Sequence, residues 1–275
     1  MPELNLDGLA RRAPATRVAM IEACLADHHL GLLDLLLGGG EAQEGRHYPA
    51  GEAWDATSQA QWFFHAHEAH GGGKLNPMPA ECGHFHTFLG SGGMPSGVVP
   101  FVLPEMAVAP IVLPVKEKGE PGGTHLSRRD QGRFAHLVGM SIDDAGQPMA
   151  VFTTNRWVTG EVWYRAQDLV GALDRFHFQP ARPAALDTTG PGVVASDING
   201  PMAQRAIDIV SLWLAGVLAI LRPHVAHLLD TRDRTVMDWR RRRTRQTHVF
   251  EDRRLDVTST VLVDFKAELK AALGR

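Results

Sequence analysis

The sequence predicts an α+β fold: an antiparallel β-meander that carries a histidine cluster, flanked by N-terminal and C-terminal helices. Apolar residues recur with helical spacing over residues 14–37. Aromatic-rich runs bounded by glycine, proline and aspartate follow from Ser58 to Trp157, the texture of strands joined by turns. Past Thr159 the helical spacing returns. The 275 residues are enough for one full core, and one domain is expected, with N-terminal helices over 1–46, a sheet core over 47–158 and a helical part over 159–275.

The first helix is read from "PATRVAMIEACLADHHLGLLDLLLGG", where Val18, Ile21, Leu25 and Leu32 fall near one stripe. Gly38, Gly39 and Gly40 stop it. "SQAQWFFHAHE" and "ECGHFHTFLG" read as strands on either side of the loop "GGGKLNPMP"; a helix beginning near Asp55 competes for the first of them. Prolines spread through residues 90–124 argue against a central strand there and suggest a lid or packed cover. "GRFAHLVGMSIDDAGQPMAVFTTNRW" is a hairpin about the turn residues "DDAGQP". A helix capped by Thr159 is expected next, with Val162, Ala166, Leu169 and Leu173 on its inner face.

"QPARPAALDTTGPG" reads as a linker-like loop, and a long helix as residues 201–221, broken or kinked at Pro223 before it resumes. Its stretch 209–221 is apolar throughout but falls short of the roughly 20 residues a bilayer requires, so it reads as a buried core helix. "LDVTSTVLVDF" alternates like a half-buried strand, and a short terminal helix follows.

Composition narrows the partners. A net charge of −3 gives no global attraction to nucleic acid or anionic membrane. The arginine run "WRRRRTRQ" extends a helix that also bears Asp230, Asp233 and Asp238, and reads as a solvated end with local ion pairs. Cys24 and Cys82 are too few for a disulfide framework, and the N-terminus shows no apolar segment of a signal peptide. A cytoplasmic protein with a small-molecule substrate, and with neither nucleic acid nor membrane as partner, is the expectation.

The chemistry is expected at the histidines. In a strand, alternate residues share a face, with their Cα atoms roughly 6.6 Å apart. His65 and His67 form one such pair, and His84 and His86 another. If the two strands pair antiparallel, their imidazoles meet, and His136 in the next strand joins them. His65, His67, His84, His86 and His136 are therefore the candidate metal ligands. The bland alternative is a set of aromatic-lined strands whose histidines are satisfied by backbone carbonyls. Imidazole suits iron, zinc and copper. With Glu68, Glu81 or Glu161 a two-histidine, one-carboxylate iron site is possible, and Trp62, Phe63, Phe85 and Phe88 would shield an oxygen-reactive centre. Iron is the expected metal; zinc or copper is the alternative, and haem is a further option.

"FTTNRWVTGEVWYRAQD" supplies the expected substrate side, since polar residues at a strand end are well placed for a site. Arg156 could hold a substrate carboxylate, Asn155 could orient a ligand, and Glu161 could act as base or ligand. An ordinary salt bridge is the competing role for Arg156. The resulting expectation is a metal-dependent oxidoreductase acting on a small organic substrate, with a carboxylate as the candidate class. Its rival is a non-catalytic metal- or haem-binding carrier or sensor.

The blocks "HYPAGEAWD", "SQAQWFFHAH", "ECGHFHTF" and "FTTNRWVTGEVWY", with "LAILRPHVAHLLDTRD" as a weaker extension, resemble those of an uncharacterised bacterial protein family. The resemblance implies a single cytoplasmic bacterial domain and names no reaction.

Overall fold

A computed structural model describes residues 4–66, 81–103, 134–180, 201–242 and 248–274. The chain opens with three short helices. In α1 (Leu6–Ala10), the Asn5 side chain accepts the Gly8 N–H at 2.9 Å. Next, α2 (Pro14–Asp27) starts on proline, whose missing N–H costs nothing in a first turn, and buries Val18, Ile21 and Leu25. The single helix expected over 14–37 is in fact two. His29 adopts a left-handed φ of 54°, and the Leu30 N–H closes back on the Leu25 carbonyl at 3.0 Å. The second piece, α3 (Leu32–Leu37), ends at Gly38 with φ 64°, as the glycine run predicts.

Six strands follow the order β1 (Tyr48–Trp54), β2 (Ala60–His65), β3 (Gly83–Gly90), β4 (Phe134–Ile142), β5 (Pro148–Thr154) and β6 (Val257–Leu262). Each is antiparallel to its neighbour, so the sheet is the expected meander. Strand reading wins over the helix considered near Asp55: residues 60–65 are β2. The described part of the proline-rich segment, up to Leu103, contains no strand, and the rest lies outside the described residues.

The helix expected from Thr159 is corrected. Arg156–Thr159 forms one turn, α4, and Gly160 ends it at φ 69°. Helix resumes only in α5 (Ala166–Ala172), after Arg165. Thr159 is thus a last turn and not a cap. The long helix is α6 (Pro201–Ile220), and α7 (Arg222–Arg242) carries Pro223 in its first turn, where the ring is tolerated. Asp264 then caps α8 (Phe265–Leu273) through the Ala267 N–H at 3.0 Å.

One face of the sheet makes the main core. Trp62, Phe64, Phe85, Leu89, Val138, Met140 and Val151 pack with residues of α6 such as Trp213, Leu214 and Val217. A hydrogen bond from Trp62 Nε1 to Ser211 Oγ, 2.8 Å, ties sheet to helix. Although Met202–Ile220 is long and apolar enough to cross a membrane, 72% of it is buried inside the protein, as a core helix should be. The opposite face is buried too: every residue of β3 and β4 is enclosed. That face carries the histidines.

Candidate metal centre

Strand register assembles the site. His65 of β2 stands directly opposite His84 of β3, and the alternation of β3 puts His86 on the same face. Ring centroids are 4.4 Å apart for His65 and His84, 4.8 Å for His84 and His86, and 5.2 Å for His65 and His86. One nitrogen from each ring lies within 4.8 Å of the other two. The Nε2 atoms of His65 and His84 approach to 2.6 Å. Bonds of about 2.0–2.1 Å to a tetrahedral ion would space its donors roughly 3.3 Å apart, so small ring rotations would open the site.

The backs of two rings are held. His84 Nδ1 meets Glu81 Oε1 at 2.6 Å, and both side chains are buried. A carboxylate behind Nδ1 fixes the tautomer that leaves Nε2 as the forward donor. His86 Nδ1 meets His136 Nε2 at 3.0 Å. The pairing shifts between Thr87 and Phe88, so that Thr87 faces Val138 while Phe88 faces His136. This bulge sets His136 beside Phe88 on the histidine face.

Burial and charge follow the same layering. His86 is held well below the usual imidazole range, chiefly by burial and then by its neighbouring histidines. Burial, aided by Arg232 and His84, pushes His136 down to about 3. Both rings are therefore neutral at physiological pH and offer lone pairs. Behind them, Glu161 Oε2 accepts the His136 backbone N–H at 3.0 Å, and its other oxygen accepts from Thr159 Oγ1 at 3.3 Å. Burial pushes Glu161 up to about 7, against the pull of Arg232, the His136 N–H and Thr159.

Aromatic rings wall the face. Phe63 lies 5.2 Å from His86 and 5.7 Å from Phe88. Phe152 stands edge-on to His84 at 5.0 Å and to His86 at 5.8 Å.

The structure thus brings together His65, His84, His86 and His136, with Glu161 one layer behind; His67, like Glu68, lies outside the described residues. Among the described residues, the cluster whose donors converge is all imidazole. Glu81 sits against His84 Nδ1, and Glu161 against the backbone of His136. Asn155 and Arg156 bond mainly to the protein itself. Asn155 Oδ1 accepts the Arg156 N–H at 2.9 Å, and its amide donates to the Val249 carbonyl at 2.8 Å. Arg156 Nε donates to the Glu161 carbonyl at 3.0 Å, and Nη1 pairs with Glu251 at 3.0 Å. Arg156 therefore positions Glu161 through its main chain. Replacing Arg156 by lysine keeps the charge but loses the fork. We expect a cost of about 1 kcal/mol, read as a melting point lower by roughly 2–4 °C, with unchanged metal content.

One site residue escapes the sequence reading. His47 precedes β1, and continuing the pairing of Tyr48 with Phe64 sets it opposite His65. Its ring stacks on Phe63 at 3.9 Å and 10°, and Nδ1 meets Glu52 Oε1 at 3.1 Å. The "HYPAGEAWD" block contains both partners, but a bulge hides the alternation. Tyr48 pairs with Phe64 and Ala53 with Trp62, so the residues from Pro49 to Glu52 stand opposite Phe63 alone.

Fold and site together define an α+β protein on a six-stranded antiparallel meander, one face of which gathers a histidine triad able to hold a metal ion. The chain belongs to the family described as "Domain of unknown function (DUF6969)", whose model matches residues 12–189 and 198–263 and so includes every site residue named above. No curated protein and no solved structure matches the chain.

Proposed function

We propose that the protein is a metal-dependent enzyme, an oxidoreductase acting on a small organic substrate at a transition-metal ion held by His65, His84 and His86. The observation that carries this reading is the convergence of three imidazoles, two of them anchored from behind by Glu81 and His136. The three ligands found among the described residues would leave a coordination position for substrate, as catalytic sites do and structural sites do not. Iron is the metal we propose, because the rings of Phe63, Phe88 and Phe152 shield the face as an oxygen-reactive centre requires; zinc and copper take the same donors. The ion would supply Lewis acidity and, if iron or copper, electron transfer.

The chain's own residues supply the rest. Glu81 and His136 orient the ligating rings, the phenylalanines exclude water, and Glu161 can hold a proton behind His136. Arg156 is engaged by Glu161 and Glu251, so our reading assigns substrate binding to the open position and the aromatic walls. We place the protein in a reducing cytoplasm, where burial, which pushes Cys82 up to about 11, keeps that residue a thiol.

Elemental analysis of tag-free protein after anaerobic reconstitution tests the reading. About one equivalent of a single transition metal is expected, and none after joint replacement of His84 and His86 by alanine. Uptake below about a tenth of an equivalent for every such metal would sink it. A non-catalytic metal or haem carrier is favoured by one observation, the depth of the rings: His84 and His86 are only 3% and 4% exposed. A saturated ion whose spectrum ignores added nitric oxide would select the carrier.

A further inference from the structure

The histidine face carries polar side chains for which the fold provides no partner. Among the described residues, five buried side-chain atoms lack a hydrogen bond, and three of them, Gln61 Oε1, Ser141 Oγ and Thr154 Oγ1, belong to this face. Gln61 stands opposite Phe88 and Ser141 opposite His84, while strand alternation puts Thr154 on the side of Phe152. The core face differs. There Thr87 Oγ1 donates to the Val138 carbonyl at 2.8 Å, Thr153 Oγ1 meets Ser259 Oγ at 2.6 Å, and Ser259 Oγ donates to the Leu228 carbonyl at 2.9 Å.

Ser141 belongs to the row of the triad itself. His65, His84, Ser141 and Ala150 stand side by side across β2, β3, β4 and β5, so Ser141 is the next residue beyond His84. It is fully buried. None of its neighbours on the face satisfies the hydroxyl. The His84 nitrogens meet Glu81 and His65, and the side chain of Ala150 has no polar atom. Gly139, two residues back on the same face, has no side chain and is covered by the Phe152 ring. A buried hydroxyl without a partner costs folding free energy, and alanine would fill the same place without that cost. The hydroxyl is therefore kept against stability, as groups that serve a binding site are.

We infer that Ser141 is a substrate-binding residue: its Oγ hydrogen-bonds a polar group of the molecule whose other end is held by the metal ion. This role, which rests on the three-histidine metal reading, sets the substrate class. Strands about 4.8 Å apart place Ser141 one spacing beyond His84 and two beyond His65. The second polar group is then a short carbon chain away from the metal-binding one. Small organic acids with a second oxygen function, such as hydroxy acids, meet that requirement. Ser141 supplies the partner that Arg156, engaged by Glu161 and Glu251, does not.

The test compares Ser141→Ala with the wild type, both as tag-free full chains. In the metal-free proteins the variant is expected to melt higher, by about 2 °C, since it sheds an unpartnered hydroxyl. A lower melting point would show a partner within the protein and overturn the inference. The cobalt(II)-loaded proteins are then titrated with propionate and with 3-hydroxypropionate, followed by visible absorption. The two acids differ by one hydroxyl. The expected result in the variant is unchanged cobalt stoichiometry, unchanged propionate binding and about tenfold weaker 3-hydroxypropionate binding, the loss of one hydrogen bond. Equal effects on both acids, no effect on either, or a wild-type spectrum that ignores both would overturn the role of Ser141. Failure of the wild-type chain to take up cobalt is a separate result and strikes the metal reading itself. The melting comparison needs no metal, so it tells the two failures apart.

Discussion

Replacing His84 by alanine is expected to lower metal affinity at least about a hundredfold, measured by competition with a chromophoric chelator. His84 is the central ring of the triad, 4.4 Å from His65 and 4.8 Å from His86. Its loss removes a donor and takes from Glu81 the ring nitrogen that its buried carboxylate meets. A buried polar group that loses a hydrogen-bond partner is costly, so the metal-free variant should also melt lower. Glu81→Gln separates the two effects. All three imidazoles remain, but the carboxylate that orients the central one is gone, and a loss of about 10–100-fold is expected. Should His84→Ala bind metal as the wild type does, the triad is not the site.

Much of this site was legible because strand alternation is local. The two His-x-His stretches and the turn residues of the β4–β5 hairpin show in the sequence without any knowledge of pairing. His65 opposite His84 then follows from antiparallel neighbours. What was illegible depends on irregular backbone or on contacts distant in sequence. The β1 bulge breaks the period-two pattern, so β1 and His47 at its start gave no signal. The left-handed turn at His29 divides a run whose apolar spacing looks continuous. Gly160 ends a helix where a Thr-Gly-Glu start looked plausible. At Arg156 the sequence left a substrate anchor and an ordinary salt bridge both open, because Glu251, its ion-pair partner, lies far along the chain. Glu81 was visible as a carboxylate near the histidines, but only the folded register shows it behind a ring and not beside a metal.

The other large effect is expected at Gly139, which faces His86 on one side and Phe152 on the other. A Cβ built there would come within 2.3 Å of the Phe152 ring. The ring lies over the glycine and from there reaches His84 and His86 edge-on. Gly139→Val adds a branched side chain where not even a methyl fits, and both its neighbours are buried in a two-sided sheet. We expect a loss of about 3 kcal/mol, the upper part of the range for overpacking, together with weaker metal binding as the ring is driven into the triad. Valine's preference for strands offsets little of this, because the conflict is with a buried ring and not with the backbone. Pairing the change with Phe152→Leu removes the obstructing ring. The double variant should then be more stable than the sum of the two single losses predicts, a coupling of about 1 kcal/mol or more between residues in contact. Urea titrations of the four proteins measure that coupling directly. Strict additivity would show that Gly139 is required for a reason other than the ring above it, and metal affinity would then be unaffected by Gly139→Val.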